Sequence, residues 1–501
     1  MMKMNRVRLA SVLFAGASVT CAVIAACGGG DDSNADTPGA QDGAAADGTQ
    51  SSSDANVGDA GTDSDFAFPT PIHHIIIVVK ENHTFDNFFG EYDGGADTPP
   101  PKATLSDGSK IVRPVCPAAG FTRDFPHSHA AAVQAYNDGG FSGLDKNIHT
   151  VNDGKGGPDD YLGWCTFSGT NQGEIYWDLA RNFTIADHFF TSMLAPSFPG
   201  HLMCAVGQSP AYADPGCDAS DDTCTSAPAT GDGCLDPFNT VSTYDPATCT
   251  DTGLKKPCFD IPTWMDLFPP QLTFGIYGGF LYNDDAGAPV VHTPVNAVKA
   301  HSTPAERIAH FHDDRTIVPQ ILEDTSLPGI SASQPNVMYW DDSDKNSEHP
   351  PSSPCCGEQN DATIVNAAMS GKNWKDTVVL ITFDDWGGMY DHEKPAVERC
   401  ANNAYFSPGF RVPLLIISPY ARKGYVFTDV VEQASIPKLI EELFSIPMTS
   451  TRDPNARDGK AGSLMGAFDF SQTPSAPVTI PFTSTYCPTP LDCQNFVPAD
   501  H

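Results

Sequence analysis

Residues 75–90 read IIIVVKENHTFDNFFG. Five branched apolar residues, Ile75 to Val79, run without alternation. A period-two pattern would mark a strand with one wet face. An unbroken apolar run bounded by polar residues marks a strand covered on both faces, as in the middle of a parallel sheet. Glu81 and Asn82 follow at once. In open α/β sheets, ligand sites lie in the crevice beyond the carboxyl ends of the strands. This carboxylate and amide therefore stand where chemistry is expected, although a strand followed by a polar turn would fit the pair taken alone.

Two further runs share this character. Thr377–Phe383, TVVLITF, is a second buried strand, and it ends in Asp384-Asp385. Val412–Ser418 is a third. Phe183–Phe190, Gln271–Tyr277 and Asn336–Trp340 are strand candidates. Ala130–Tyr136, Ile175–Arg181 and Asp361–Ser370 read as helices. So does Ser435–Phe444, with Ser435 as its cap and Pro437 in its first turn. Buried strands alternating with helices predict an α/β fold, a mostly parallel central sheet with helices on both faces.

The chain has 501 residues and a formal charge of −34. So acidic a surface argues against nonspecific nucleic-acid binding, which depends on Lys and Arg neutralising phosphates. It also argues against docking on anionic lipid. The N-terminus carries an address. Lys3, Arg6 and Arg8 lead into a small apolar region ending Ile24-Ala25-Ala26-Cys27, too short for a membrane span. This resembles the lipobox of bacterial lipoproteins. It implies a signal peptide over residues 1–26 and acylation of Cys27. No Asp follows Cys27, which would imply anchoring to the outer membrane; ordinary secretion is the alternative. Residues 27–64 are rich in Gly, Ala, Asp, Ser and Thr and read as a disordered tether. Residues 65–501 then form the folded domain.

Of the 15 cysteines, thirteen follow Cys27. An exported chain with that many is expected to carry several disulfides, and an odd number leaves at least one unpaired. Cys217, Cys224, Cys234, Cys249 and Cys258 crowd into a stretch rich in Asp, Thr, Gly and Pro. Residues 209–262 or so therefore read as a disulfide-tied insertion. A zinc cluster is the alternative, but no CxxC pair occurs there. Adjacent Cys355 and Cys356 are expected to bond to different partners.

Glu81-Asn82 and Asp384-Asp385 each follow a buried strand, so both pairs should emerge on one edge of the sheet. Carboxylates gathered there repel one another and need protons or a cation. A divalent metal is the simplest answer; Ca²⁺, Mg²⁺, Mn²⁺ and Zn²⁺ all suit these ligands. Ser197, in APSFPGHL, precedes a proline by two places, as at a helix start. It is either an ordinary cap or a nucleophile placed in the positive field of a helix N-terminus. His127, His292, His349 and His392 are the candidate acid–base groups. Each taken singly is more often a structural histidine. In Asp391-His392 the carboxylate could fix the imidazole tautomer.

Several blocks, in order along the chain, resemble the phosphoesterase family with an alkaline-phosphatase-like fold, whose members include bacterial phospholipases C and an acid phosphatase. They are HHIIIVVKENHTFDNFFG (His73–Gly90), DFPHSHAA (Asp124–Ala131), ADHFFTSMLAPSFPGHL (Ala186–Leu202), SEHPP (Ser347–Pro351), TVVLITFDDWGGMYDH (Thr377–His392), RVPLLIISPYA (Arg411–Ala421) and AFDFSQTP (Ala467–Pro474). The resemblance implies that Glu81, Asn82, Asp384 and Asp385 hold the metal and that Ser197 is the nucleophile. It implies that His127 and His349 contact phosphate or assist the leaving group; His292 matches more loosely. Two positions depart from the pattern. Position 385 is often Glu, and Gly200 stands where many members have Asn.

The reading is an exported, metal-dependent phosphoesterase acting on phosphate esters through a phosphoserine. Phospholipid cleavage of the phospholipase C type and phosphomonoester cleavage by an acid phosphatase both remain open, as does a non-catalytic binding lipoprotein.

Overall fold

In the computed structural model, the apolar run from Ile75 forms a central strand of a nine-stranded sheet. The structure describes residues 66–481, apart from 118–119, 122, 138–140, 152–157, 169–172, 218–232, 237, 342–344, 399, 401 and 403–405. Cys27, the signal segment and the tether lie outside the described residues. The sheet comprises β1 (His74–Lys80), β2 (Thr184–Ala186), β3 (Phe274–Asn283), β4 (Pro289–His292), β5 (Phe311–Asp313), β6 (Val337–Asp341), β7 (Thr377–Phe383), β8 (Leu414–Ile417) and β9 (Tyr425–Phe427).

Across the sheet the order is β5-β3-β6-β1-β7-β8-β2-β9, with β4 paired to β3. β1 runs parallel to β6 on one side and to β7 on the other. β3 and β5 continue in the same sense. β8 runs against both β7 and β2, and β4 folds back on β3. Ile75–Val79 and all of β7 are buried, as strands covered on both faces must be. The helix Glu174–Asn182 packs on the helix Pro354–Ser370, and Ser197–Val206 packs on Ser435–Phe444. A mostly parallel α/β sheet with covering helices is thus as expected.

The differences have local causes. The run from Phe183 breaks at Asp187 into β2 and a separate short strand, Phe189–Phe190. β3 starts three residues later than expected and continues into a hairpin with β4. The third buried run is shorter than read, and it is antiparallel. The helix read from Asp361 already begins at Pro354, because Pro is tolerated in a first turn. Ser435 does not cap its helix; Ala434 holds that position, and Ser435 Oγ accepts the Glu432 N–H at 3.0 Å.

In the insertion, Val241–Asp245 and Thr250–Lys255 pair as an antiparallel hairpin. Cys234–Cys258 closes the insertion on itself, and Cys249–Cys400 ties it to a distant loop. Cys116–Cys165 is a further bridge, and Cys217, Cys355 and Cys356 are also oxidised. Cys204 is free and buried. Among the described residues, no group of potential metal ligands contains a cysteine.

Candidate active site

β1 and β7 deliver their polar ends side by side. The Asp384 N–H donates to the Lys80 carbonyl at 2.8 Å, and the Asn82 N–H donates to Asp384 Oδ1 at 2.9 Å. Asn82 turns through φ +66°, a left-handed conformation that Asn tolerates better than most residues. With its amide nitrogen toward Asp385 (2.8 Å to Oδ1), its amide oxygen accepts from His349 Nε2 at 2.8 Å. Glu81, Asn82, Asp384 and Asp385 therefore meet at one sheet edge, as their strands led one to expect, and His349 joins them there.

Ser197 is the first residue of its helix, and its side chain caps nothing. Its hydroxyl lies 3.1 Å from Glu81 Oε2 and 3.1 Å from Asp385 Oδ2. Asp214, from the following loop, accepts the Phe198 N–H at 2.9 Å. His127 faces the same cluster, with Nε2 4.0 Å from Asp385 Oδ2, and its ring lies 6.0 Å from that of His349.

His292 ends β4 opposite Gly279, one step beyond the Gly278–Asp341 pair. It stands level with that sheet edge but three strands from β1, with β3 and β6 between. Asp391 and His392 lie in a neighbouring buried network. The His392 imidazole faces Asp86 at 3.0 Å and Asp97 at 3.1 Å, while Asp391 pairs with Arg411 at 3.0 Å. The carboxylate that orients His392 is thus Asp86, a correction to the pairing read from Asp391-His392.

Two site residues were missed. His201 Nε2 donates to Glu81 Oε1 at 3.0 Å and lies 3.4 Å from Asp384 Oδ2; its Nδ1 lies 3.0 Å from Asp341 Oδ1. Both signals were in the sequence. His201 follows Ser197 by four residues on a helix, which puts both on one face. Asp341 is an acid at the end of a buried strand, like Glu81.

Burial alone would raise every acid here. It holds Asp384 well above the usual carboxylate range, with Asp385 and Glu81 adding to the effect. It pushes Asp385 up to about 6 against the pull of His127. For Glu81, burial is outweighed by His201 and His349, which hold it well below the usual range. Burial opposes charge on His127, but Asp124 and Asp385 prevail and raise it to about 10. Asp341 and Glu81 likewise hold His201 well above the usual range despite its burial.

The residues present fit a divalent cation. Glu81, His201 and Asp384 bring potential ligand atoms within 4.8 Å of one another, as do Asp124, His127 and His349. Asp384 Oδ2 is buried and has no hydrogen-bond partner.

The model of the Phosphoesterase family matches residues 72–447. The chain belongs to the Phosphoesterase family. Membership makes it a phosphoric ester hydrolase. Similar members are phospholipase C B of Mycobacterium tuberculosis (strain CDC 1551 / Oshkosh), 25% identical over 81% of this chain and 79% of that one, and non-hemolytic phospholipase C of Burkholderia pseudomallei (strain K96243), 25% identical over 83% and 62%. Non-specific phospholipase C3 of Arabidopsis thaliana is 22% identical over 82% and 76%. A solved structure of Ps i-CgsB in complex with k-i-k-neocarrahexaose has a TM-score of 0.30 at 10% identity, covering 58% of this chain and 69% of its own. That likeness carries no argument about this phosphoesterase.

Proposed function

We propose that this phosphoesterase is an exported, metal-dependent enzyme of the phospholipase C type, on an alkaline-phosphatase-like fold, with Ser197 as nucleophile. The observation that carries the reading is the Ser197 hydroxyl, 3.1 Å from both Glu81 and Asp385 at the start of a helix. Asp385, 3.1 Å from the hydroxyl and pushed up to about 6, accepts the Ser197 proton. Oγ attacks phosphorus in line, the Oγ–P bond forms and the bond to the leaving alcohol breaks. His349 gives that oxygen its proton. Water then cleaves the phosphoserine with the help of His127, whose charge also pairs with a phosphate oxygen. The helix N-terminus adds partial positive charge. A divalent cation held by Glu81, Asn82, Asp384 and Asp385 would supply Lewis-acid stabilisation of the phosphoryl charge and favour the alkoxide.

The relatives' names favour a phospholipid diester as substrate. The test is hydrolysis of p-nitrophenyl phosphorylcholine beside p-nitrophenyl phosphate by the purified chain, with and without chelator. Faster, chelator-sensitive cleavage of the choline diester is expected. Preference for the monoester would make the enzyme a phosphatase instead. The reading extends to a lipid anchor at Cys27 on the cell envelope, which incorporation of a labelled fatty acid, lost in Cys27→Ser, would test.

A further inference from the structure

His201 reaches the carboxylates because its helix is pressed onto the end of β7. A Cβ on Gly200 would lie 2.2 Å from the Asp384 carbonyl oxygen. Only glycine permits that approach, and the next residue is delivered between Glu81 and Asp384. Its Nε2 lies 3.0 Å from Glu81 Oε1 and 3.4 Å from Asp384 Oδ2. Its other nitrogen lies 3.0 Å from Asp341 Oδ1. Nδ1 makes no aligned hydrogen bond as it stands, but a carboxylate this close to the far nitrogen is placed to orient a metal-ligating imidazole. Asp384 Oδ2, fully buried 3.4 Å from Nε2, has no hydrogen-bond partner.

We propose that His201 Nε2 is itself a ligand of the cation, together with Glu81 and Asp384, and that Asp341 holds its Nδ1. The proposal rests on the metal-dependent reading above and adds a nitrogen to an otherwise all-oxygen donor set. Oxygen-only sites suit Ca²⁺ and Mg²⁺, whereas an imidazole suits Zn²⁺ and its transition-metal neighbours. The site therefore takes a nitrogen-preferring divalent ion of the Zn²⁺ class, and the helix that carries the nucleophile also carries the residue that selects the metal.

The full chain, stripped of metal by chelator, is titrated calorimetrically with Zn²⁺ and separately with Mg²⁺, beside His201→Gln and Asp341→Asn. The wild type is expected to bind Zn²⁺ more tightly than Mg²⁺. His201→Gln should weaken Zn²⁺ by at least ~100-fold and Asp341→Asn by about 10- to 100-fold, with Mg²⁺ nearly unmoved. The visible absorption of a Co²⁺-loaded sample should change in His201→Gln. Thermal unfolding in chelator checks each fold, and isosteric Asp341→Asn keeps the test open if His201→Gln does not fold. Unchanged Zn²⁺ affinity in both variants overturns the proposal. So does tighter Zn²⁺ binding in His201→Gln, the result expected if the imidazolium merely fills the cation's place. A wild-type chain that binds no divalent ion, with hydrolysis indifferent to chelator, overturns this proposal together with metal dependence itself.

Discussion

Lys80 Nζ lies 3.2 Å from Asp361 Oδ1, and neither side chain reaches solvent. The same ammonium faces Glu348 Oε1 at 3.7 Å, and the Tyr176 hydroxyl lies 2.5 Å from Glu348 Oε1 and 2.8 Å from Asp361 Oδ2. Lys80 adjoins Glu81 and Glu348 adjoins His349. The network therefore ties the strand that carries one candidate ligand to the loop that carries the candidate acid. Lys80→Met would leave buried acids without their cation. A loss of about 3–5 kcal/mol in urea unfolding is expected, and an unchanged midpoint would contradict the pairing.

Ser197→Ala should lower kcat by on the order of 10⁴-fold or more, as loss of a nucleophile does elsewhere. The side chain caps no helix but contacts two buried carboxylates, so a modest loss of about 1–3 kcal/mol is expected while the protein stays folded. Residual turnover near the wild-type level would remove Ser197 from the chemistry.

Gly200→Ala places a methyl group 2.2 Å from a backbone oxygen that cannot step aside. Overpacking of this kind costs about 1–3 kcal/mol, and here the strain falls on Asp384. Both denaturant stability and hydrolysis should drop. A side chain as large as Asn cannot be accommodated at this position in this geometry.

Glu441 accepts the Thr449 N–H and hydroxyl at 2.8 Å each, and burial, with Asp458 beside it, pushes its carboxyl up from 4.5 to about 8. The folded carboxyl holds its proton more tightly than the unfolded one. Its contribution is complete below pH 4.5 and is lost as pH rises to about 8. Glu441→Gln keeps an uncharged donor and acceptor in place. Its melting temperature, compared with the wild type at each pH, should gain steadily from pH 4.5 to 8; a constant difference would refute the shift.

Cys249–Cys400 spans 151 residues and Cys234–Cys258 spans 24. Loop-closure entropy makes the first worth about 1.5 kcal/mol more than the second. Paired Cys→Ser variants compared in urea should lose stability in that order.

The long apolar runs were legible because burial on both faces leaves no alternation to confuse. Ile75–Val79 and Thr377–Phe383 announced buried strands, and with them the convergence of Glu81 and Asp384 on one edge; that the two are neighbours came from the structure. The three-residue strands Thr184–Ala186 and Tyr425–Phe427 were not legible as such, since so few residues carry no period and their pairing comes from the sheet. The reversal of Leu414–Ile417 was hidden because a buried antiparallel strand reads like a parallel one. Ser197 was found by its helix start, yet His201, one turn on, was not, because an isolated histidine declares no partner until Asp341 is placed opposite it. The tie from Cys249 to Cys400 depends on distant loops meeting, which spacing alone does not encode.

The pairing of Ile75 with Val337 and of His74 with Thr377 bears on the order of events as the chain emerges during synthesis. The first strand waits for hundreds of residues before either neighbour exists, and contacts so remote are slow to form. Glu81 must remain solvated through that interval. The mutually repelling carboxylates gather only when Thr377–Phe383 docks, so the chemically competent edge is completed late, with only Leu414–Ile417 and Tyr425–Phe427 of the sheet still to follow, and a nascent chain stalled before Asp384 has no assembled carboxylate cluster.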